Sequence, residues 1–386
     1  MAGTLYLYSF LDEFVLLYPV YTLLFAETGL SVAETTSLLV IWSVTGLLLE
    51  VPSGALADVF SRRLLLCVGP LLAATGFALW VIFPSYWTFA AGFVLWGVRG
   101  ALTSGSLEAL VYEELQRVGE AGRYAGLMGR ASSVGLAATA SAIGLAIPVF
   151  AVGGYLAVGA ASVVACVLCS AAALAFAEHR APAADDGDEE DDEPGYWTVL
   201  RNGLAEARRN RRVSRWLLLS AATGAIWGAL EEYVPYLGTE IGMPLAGVPV
   251  LVLLVWAAAT AGGLLAGKAE RLAERRLALM LLAAALALAG GALSGRPAGF
   301  ALIALAFGAF QLADVVADAR LQESIDGPSR ATVTSVAGLG REGVTLLVYT
   351  AYGTASTMAG HGVTFALFAV PYVIVALAWG RKSPRP

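Results

Sequence analysis

Apolar runs long enough to carry a helix across a bilayer follow one another along almost the whole chain. A helix rising about 1.5 Å per residue needs about 20 apolar residues to span roughly 30 Å of hydrocarbon. Runs of that size fall at residues 4–26, 34–57, 64–84, 87–112, 124–147 and 150–177, and again at 215–238, 246–267, 277–294, 298–321, 330–354 and 363–380. With 58% of the 386 residues hydrophobic and 14% charged, the apolar surface exceeds what a water-soluble core could enclose. The chain therefore reads as an all-α polytopic membrane protein of twelve transmembrane helices, with the lipid bilayer as its first partner. The first run, residues 5–25, lacks a basic leader and a small-residue cleavage site, and reads as a retained helix.

The loops between these runs set an orientation, because cytoplasmic loops retain Lys and Arg. With the amino terminus inside, the inner side collects Arg62, Arg63, Arg117, Arg123, the basic residues between Arg180 and Arg215, Lys268, Arg271, Arg275, Arg276, Arg320, Arg330 and the tail Arg381, Lys382 and Arg385, and the outer loops keep Arg296 alone. Both termini are thus expected to be cytoplasmic, in a multi-pass protein of the cell membrane. The net charge of −6 comes mostly from the tract between Asp185 and Glu193 and directs the chain to no nucleic acid. That tract belongs to a polar interval, residues 178–214, expected to be an acidic linker followed by an interfacial helix over Tyr196 to Arg212. It separates six spans (residues 1–177) from six (215–386).

The two halves read as copies of one unit. Leu11-Asp12-Glu13-Phe14-Val15 in the first span matches Leu230-Glu231-Glu232-Tyr233-Val234 in the seventh, 219 residues on. Gly54 stands eight residues before Arg62-Arg63, and Gly267 eight before Arg275-Arg276; Arg123 opens the fifth span as Arg330 opens the eleventh. Two pseudo-symmetric six-helix bundles follow, and duplicated halves place a binding site near the bilayer midplane.

Charges inside the spans are the next signal. An ionised side chain at the bilayer centre costs at least about 2.5 kcal/mol on insertion scales, so each needs a partner, water or a function. Asp12, Glu13, Arg99, Glu108, Arg130, Glu231, Glu232, Asp314, Asp318, Arg341 and Glu342 all fall within runs. Adjacent acids such as Asp12 and Glu13 point about 100° apart on a helix, so one can face a cavity while the other meets a neighbouring helix. The aromatics Tyr8, Phe14, Tyr18, Tyr21, Trp227, Tyr233 and Tyr236 accompany the acids on the first and seventh spans, where they could stack on a flat or cationic cargo or form an interfacial belt. Glu108, Glu113 and Glu114 lie towards the cytoplasmic end and read as salt-bridge partners.

Other chemistries find little support. Cys67, Cys166 and Cys169 sit in apolar runs and read as small hydrophobes, and His179 and His361 lie near loops, away from any metal or catalytic cluster. There is no Walker loop, so ATP is not the expected driver, and no cofactor is implied.

The strongest local pattern is Glu50-Val-Pro-Ser-Gly54-Ala-Leu-Ala-Asp58-Val-Phe-Ser-Arg62-Arg63, at the inner end of the second span and the loop after it. It resembles the G-x-L-A-D-R-x-G-R-R pattern of the major facilitator superfamily: Gly54, Leu56, Ala57, Asp58, Arg62 and Arg63 fit, while Val59 and Ser61 depart from the usual Arg and Gly. The resemblance implies a gating motif, with Asp58 facing the amino-terminal end of the eleventh helix around Arg330 and locking the halves on the inner side. It also implies a central cavity lined by helices one, four, seven and ten, which hold most of the carboxylates, and a proton-coupling role for Arg99. The segments Gly97-Val-Arg99-Gly100 and Gly105-Ser-Leu-Glu108 are similar to those of efflux permeases, and Gly135, Gly144 and Pro148 loosely resemble the fifth-helix pattern of drug/proton antiporters.

The expected function is secondary active transport of a small organic molecule by alternating access, as a proton-coupled exporter of a drug or metabolite acting as a monomer, not an enzyme. Protons are expected on Asp12 or Glu13 and on Glu231 or Glu232, modulated by Arg99. Tyr8, Tyr18, Trp227, Tyr233, Asp314, Asp318, Arg130 and Arg341 are expected to line the substrate cavity. Uptake of a nutrient or organic anion, anchored by Arg99, Arg130 or Arg341, is the alternative within transport. A non-transporting receptor or an intramembrane enzyme is the rival from another class, and the sequence offers it neither a nucleophile or metal cluster nor a long partner-binding loop beyond the acidic tract.

Overall fold

The computed structural model describes residues 1–103, 105–179, 211–269, 272–324 and 330–380, with backbone alone at 50–59, 125, 211–212, 322–323, 330–335 and 378–380. Lipid offers no hydrogen bonds to a bare backbone, so an apolar run must satisfy its own N–H and C=O groups as helix. The helices are α1 Ala2–Glu13, α2 Tyr21–Glu27, α3 Val32–Val59, α4 Arg62–Ile82, α5 Tyr86–Thr103, α6 Ser106–Arg117 and α7 Tyr124–Ala173, then α8 Arg211–Glu231, α9 Val234–Glu240, α10 Val248–Ala269, α11 Glu274–Leu293, α12 Gly299–Ser324, α13 Arg330–Leu367 and α14 Ala369–Gly380. Most of the linker expected at 178–214, with its acidic tract and interfacial helix, lies outside the described residues.

Twelve crossings come out of these pieces. Eight helical stretches are long and apolar enough to span, and two of them, Ala121–Ala173 and Val336–Leu377, are each two crossings joined at a kink. The kinks fall at Gly154 (φ 57°) and Gly360 (φ 71°), a left-handed backbone that only glycine adopts without a Cβ penalty. The remaining crossings are the broken pair α1–α2 and α5, where Arg99 interrupts the apolar run.

Local chemistry explains several boundaries. At the start of α3, Ser31 and Glu34 form a capping box: the Ser31 N–H donates to Glu34 Oε2 (2.8 Å) and the Glu34 N–H to Ser31 Oγ (3.2 Å). Ser61 caps α4 by accepting from the Leu64 N–H (3.1 Å). Small residues let helices close up, as between α4 and α5, where a Cβ on Gly76 would sit 3.0 Å from Gly92 Cα.

The helices group into two units, Met1–Leu30 with Ser37–Glu193, and Ser31–Thr36 with Pro194–Pro386. In the first, α7 packs on α1 and α4, and α4 on α5. One apolar cluster joins Leu5, Tyr8, Leu66, Leu110, Cys169 and Phe176, and an aromatic cluster gathers Tyr21, Phe25, Phe77, Trp80, Phe93 and Trp96. Cys67, Cys166 and Cys169 are free and buried. In the second unit, α8 packs on α12 and α13, α10 on α12, and α11 on α12, α13 and α14. The first turn of α3 clusters with this second unit, a partition that the sequence pattern does not reveal.

Candidate functional site

The first span is broken directly after its acid pair. Helix α1 ends at Glu13, residues 14–20 leave α-helical geometry, and the helix resumes at Tyr21. The break strands backbone groups that must be satisfied from elsewhere. The Leu17 N–H donates to Ser162 Oγ of α7 (3.0 Å). The Asp12 carbonyl, freed at the helix end, accepts from Arg99 Nη2 (3.4 Å), and the same nitrogen is ion-paired to the Asp12 carboxylate. A guanidinium fits this place because it offers several donors and a positive charge to the negative end of a helix. Cys169 completes the surround, its thiol 3.8 Å from Asp12 Oδ1 and 3.7 Å from the Tyr8 carbonyl. Glu13 turns instead towards α7, where a Cβ on Gly135 would lie 3.3 Å from its Cγ, with Thr139 beside it.

The seventh span is broken at the matching place. Helix α8 ends at Glu231, and α9 restarts at Val234 with Pro235 in its first turn, where a missing N–H costs nothing. Here the first acid of the pair meets no guanidinium among the described residues: Trp256 of α10 donates its indole N–H to Glu231 Oε1 (2.5 Å). Ser220, Gly224, Trp227 and Glu231 recur at helical spacing and share one face of α8. At the Ser220 end Arg341 of α13 grips Asp314 of α12 through two hydrogen bonds of 3.0 Å, and Ser220 Oγ accepts from Arg341 Nη2 (2.9 Å). A side chain on Gly224 would collide with that guanidinium. Between the two ends, the Trp227 indole N–H is buried and has no hydrogen-bond partner among the described residues, with Phe307 edge-on at 6.0 Å.

The expected site residues therefore separate. Asp12 and Arg99 come together in the first unit; Asp314 and Arg341 pair with each other in the second, so neither presents a lone charge. Tyr18 stacks on Trp96 (5.3 Å), which also stacks with Trp42 (4.8 Å). Tyr8 and Tyr233 are both buried: Tyr8 is 1% exposed, donating to the Leu66 carbonyl (3.4 Å), and Tyr233 is 0% exposed against Tyr352 (3.7 Å). Arg130 and Asp318 are exposed, Glu232 is half-buried, and the surroundings of Gly54 and the side chain of Asp58 lie outside the described set.

At the far end of the first unit, Arg62 is ion-paired with Glu113, and its N–H donates to Glu178 Oε1 (2.7 Å). Arg63 donates to the Phe176 carbonyl (3.4 Å). Glu114 accepts from the His179 N–H (2.8 Å), touches the His179 ring (3.1 Å) and is reached by Arg117 (3.3 Å). Burial acts to raise the Glu114 carboxyl, but the hydrogen bonds from His179 and the Arg117 charge outweigh it and hold it below the usual carboxylate range.

Trp256, Ser162, Cys169 and Ser220 were not legible as site residues, being single polar or aromatic positions in apolar runs. The breaks themselves have a signal in Pro19 and Pro235, which stand seven and four residues after Asp12 and Glu231 and disfavour continuous helix. Among the described residues, no group of His, Cys, Asp and Glu is arranged to hold a metal ion.

The sequence profile of the Major Facilitator Superfamily matches residues 3–347. No curated protein matches the chain in sequence. In fold it is similar to the nucleoside transporter NupG (TM-score 0.77, 14% identity, 99% of each chain covered) and to a D-xylose-proton symporter (0.70, 14%, 99% of this chain and 97% of that one). It is also similar to a POT family transporter solved with a thioalcohol-conjugated peptide (0.72, 11%, 98% and 94%). The helical fold fits that assignment, and the chain belongs to the major facilitator superfamily, as a membrane transporter and not an enzyme.

Proposed function

We propose that this protein is a proton-coupled secondary transporter for a small organic molecule, working by alternating access, with Glu231 as its principal proton carrier. The observation behind this reading is the unequal partnering of the two matched acids. Neutralising Asp12 would leave the Arg99 guanidinium buried without its counter-charge, whereas neutralising Glu231 leaves, among the described residues, an indole N–H unanswered. An uncompensated buried charge is far the costlier of the two. A carrier that loads and unloads a proton each cycle needs the cheaper change, and Asp12–Arg99 serves as the fixed pair that holds the break in the first span. Glu13 and Glu232, the second acids of each pair, are auxiliary.

Export against inward proton flow is the preferred direction, because carboxylates outnumber arginines on the first, fourth, seventh and tenth spans and suit a cationic or neutral cargo. Uptake is the second reading, favoured by the likeness to a D-xylose-proton symporter and a nucleoside transporter. We place the protein as a monomer in the cytoplasmic membrane with both termini inside, from the charge asymmetry of its loops. The test is transport into proteoliposomes under an imposed pH gradient, with cationic dyes, antibiotics, a nucleoside and a pentose as probes. Gradient-driven movement of a probe in wild type, lost in Glu231→Gln, supports the reading, and the sign of the gradient gives the direction. Movement of a probe that ignores the gradient in wild type would refute proton coupling.

A further inference from the structure

His361 occupies a built environment unrelated to the two acid pairs. The left-handed turn at Gly360 ends the eleventh span and points the next two N–H groups, those of His361 and Gly362, at the carboxylate of Glu240, the last residue of α9 (2.6 and 3.0 Å). The imidazole lies over the Tyr236 ring of α9 (centroids 5.3 Å apart, planes 20°), and its Nδ1 is hydrogen-bonded to Tyr352 Oη of α13 (2.8 Å). The titratable groups facing it are thus Glu240 and Tyr236 from α9 and Tyr352 from α13. Tyr352 stacks in turn on Tyr233.

Those same tyrosines hold the first turn of α3. Tyr236 Oη is hydrogen-bonded to Thr35 Oγ1 (2.8 Å) and Tyr233 Oη to Thr36 Oγ1 (2.9 Å), and Thr36 rests against Gly353, where a Cβ would come within 2.8 Å of its hydroxyl. The imidazole therefore touches the tyrosine of the first of these hydrogen bonds, and Tyr352 alone stands between it and the tyrosine of the second.

We propose that His361 is a proton-binding site whose charging clamps α9, the Gly360 turn and the first turn of α3 together. A charged imidazole is a donor at both nitrogens, so Nδ1–H points to Tyr352 Oη and that hydroxyl turns its own hydrogen away. The cation gains the face of Tyr236 and the nearby Glu240 carboxylate, neither of which attracts the neutral ring as strongly. Tyr236 and Tyr352 are then held in the positions from which Tyr236 binds Thr35 and Tyr352 braces Tyr233 on Thr36. Discharge loosens the pair, and the α3 turn with it. This device stands apart from the coupling role proposed for Glu231 and survives its failure.

The experiment uses the full-length protein in nanodiscs with no substrate. Spin labels at Ala33→Cys and Leu245→Cys, both exposed positions, report the separation of the α3 turn from the end of α9, the native cysteines being buried. From pH 8 to pH 5.5, across the range in which a histidine changes charge, the short-distance population should grow about fivefold, the low end of a coupling between sites. With His361→Gln the two pH values should give one distribution. Because the chain has 2 histidines, ¹⁵N-imidazole spectra separate His361 from His179 directly, and Glu240→Gln should move the His361 titration to lower pH while leaving His179 in place. A wild-type distance that ignores pH, a shift that persists in His361→Gln, or a His361 signal that does not titrate between those values would each overturn the proposal.

Discussion

Asp12 and Glu231 hold the same position in two copies of one helical unit, each the last or next-to-last residue before its helix breaks, yet they have opposite surroundings. The first is gripped through its carboxylate and its carbonyl by one guanidinium; the second accepts, among the described residues, one indole N–H. The difference shows how duplication can divide labour. A permanent cation fixes a carboxylate as charged and makes it structural, whereas a neutral donor leaves its protonation free to change with conformation. The second unit repeats the fixed arrangement elsewhere, in Asp314–Arg341 with Ser220, about three turns along α8 from Glu231. On the proposed function it carries its structural ion pair and its exchangeable acid at separate places, while the first combines charge and helix cap in one.

That comparison can be broken most severely at Arg99. Arg99→Ala should destabilise the protein by about 3 kcal/mol, the cost of leaving a buried carboxylate unpaired, and Arg99→Ala with Asp12→Ala should recover part of the loss. Thermal unfolding in detergent measures both, and equal stability of the single and double variants would break the assignment of the pair as structural. Next in size, Glu231→Gln should cut gradient-driven accumulation at least about tenfold, near 1.4 kcal/mol, while leaving its stability close to wild type. Trp256→Phe sharpens the comparison: it removes the donor that favours the Glu231 carboxylate and keeps the ring. The pH profile of transport should move upward by about 0.7 unit, one hydrogen bond of about 1 kcal/mol, and an unmoved profile would remove Trp256 from the site.

The smallest effect is a control outside both breaks. Glu114 is held below its ordinary value in the folded chain, so its contribution to stability is present above the unfolded value near 4.3 and disappears as pH falls through the folded value. Glu114→Gln should therefore cost about 1 kcal/mol at pH 7 and nothing under strongly acidic conditions, read from unfolding temperatures at the two pH values.

Much of this architecture can be read from residues. The apolar runs give the twelve crossings because lipid enforces helix on any such run, and the matched Leu-acid-acid-aromatic-Val segments give the two halves. Of the acid pairs, the sequence leaves open which member does what, since side-chain direction depends on where the helix stops, and the stops at Glu13 and Glu231 depend on tertiary hydrogen bonds as well as on Pro19 and Pro235. Trp256 illustrates the remainder. An isolated tryptophan in an apolar span looks the same whether its indole meets lipid or a carboxylate, and 25 residues separate it from Glu231. Tyr8 and Tyr233 lie near acids on the sequence, and their burial against Leu66 and Tyr352 depends on helices far along the chain. His361, near a loop on the sequence, is held by Tyr352 9 residues before it and by Glu240 121 residues before it, with Tyr236 beside Glu240 on α9.

Infrared difference spectra between acid and neutral pH test the central claim most directly, because a carboxyl that takes up a proton gains a C=O stretch with no substrate present. The protonated-carboxyl band of the bundle interior should vanish in Glu231→Gln and persist in Asp12→Asn. Its persistence in Glu231→Gln together with its loss in Asp12→Asn would contradict the division of labour between the two breaks.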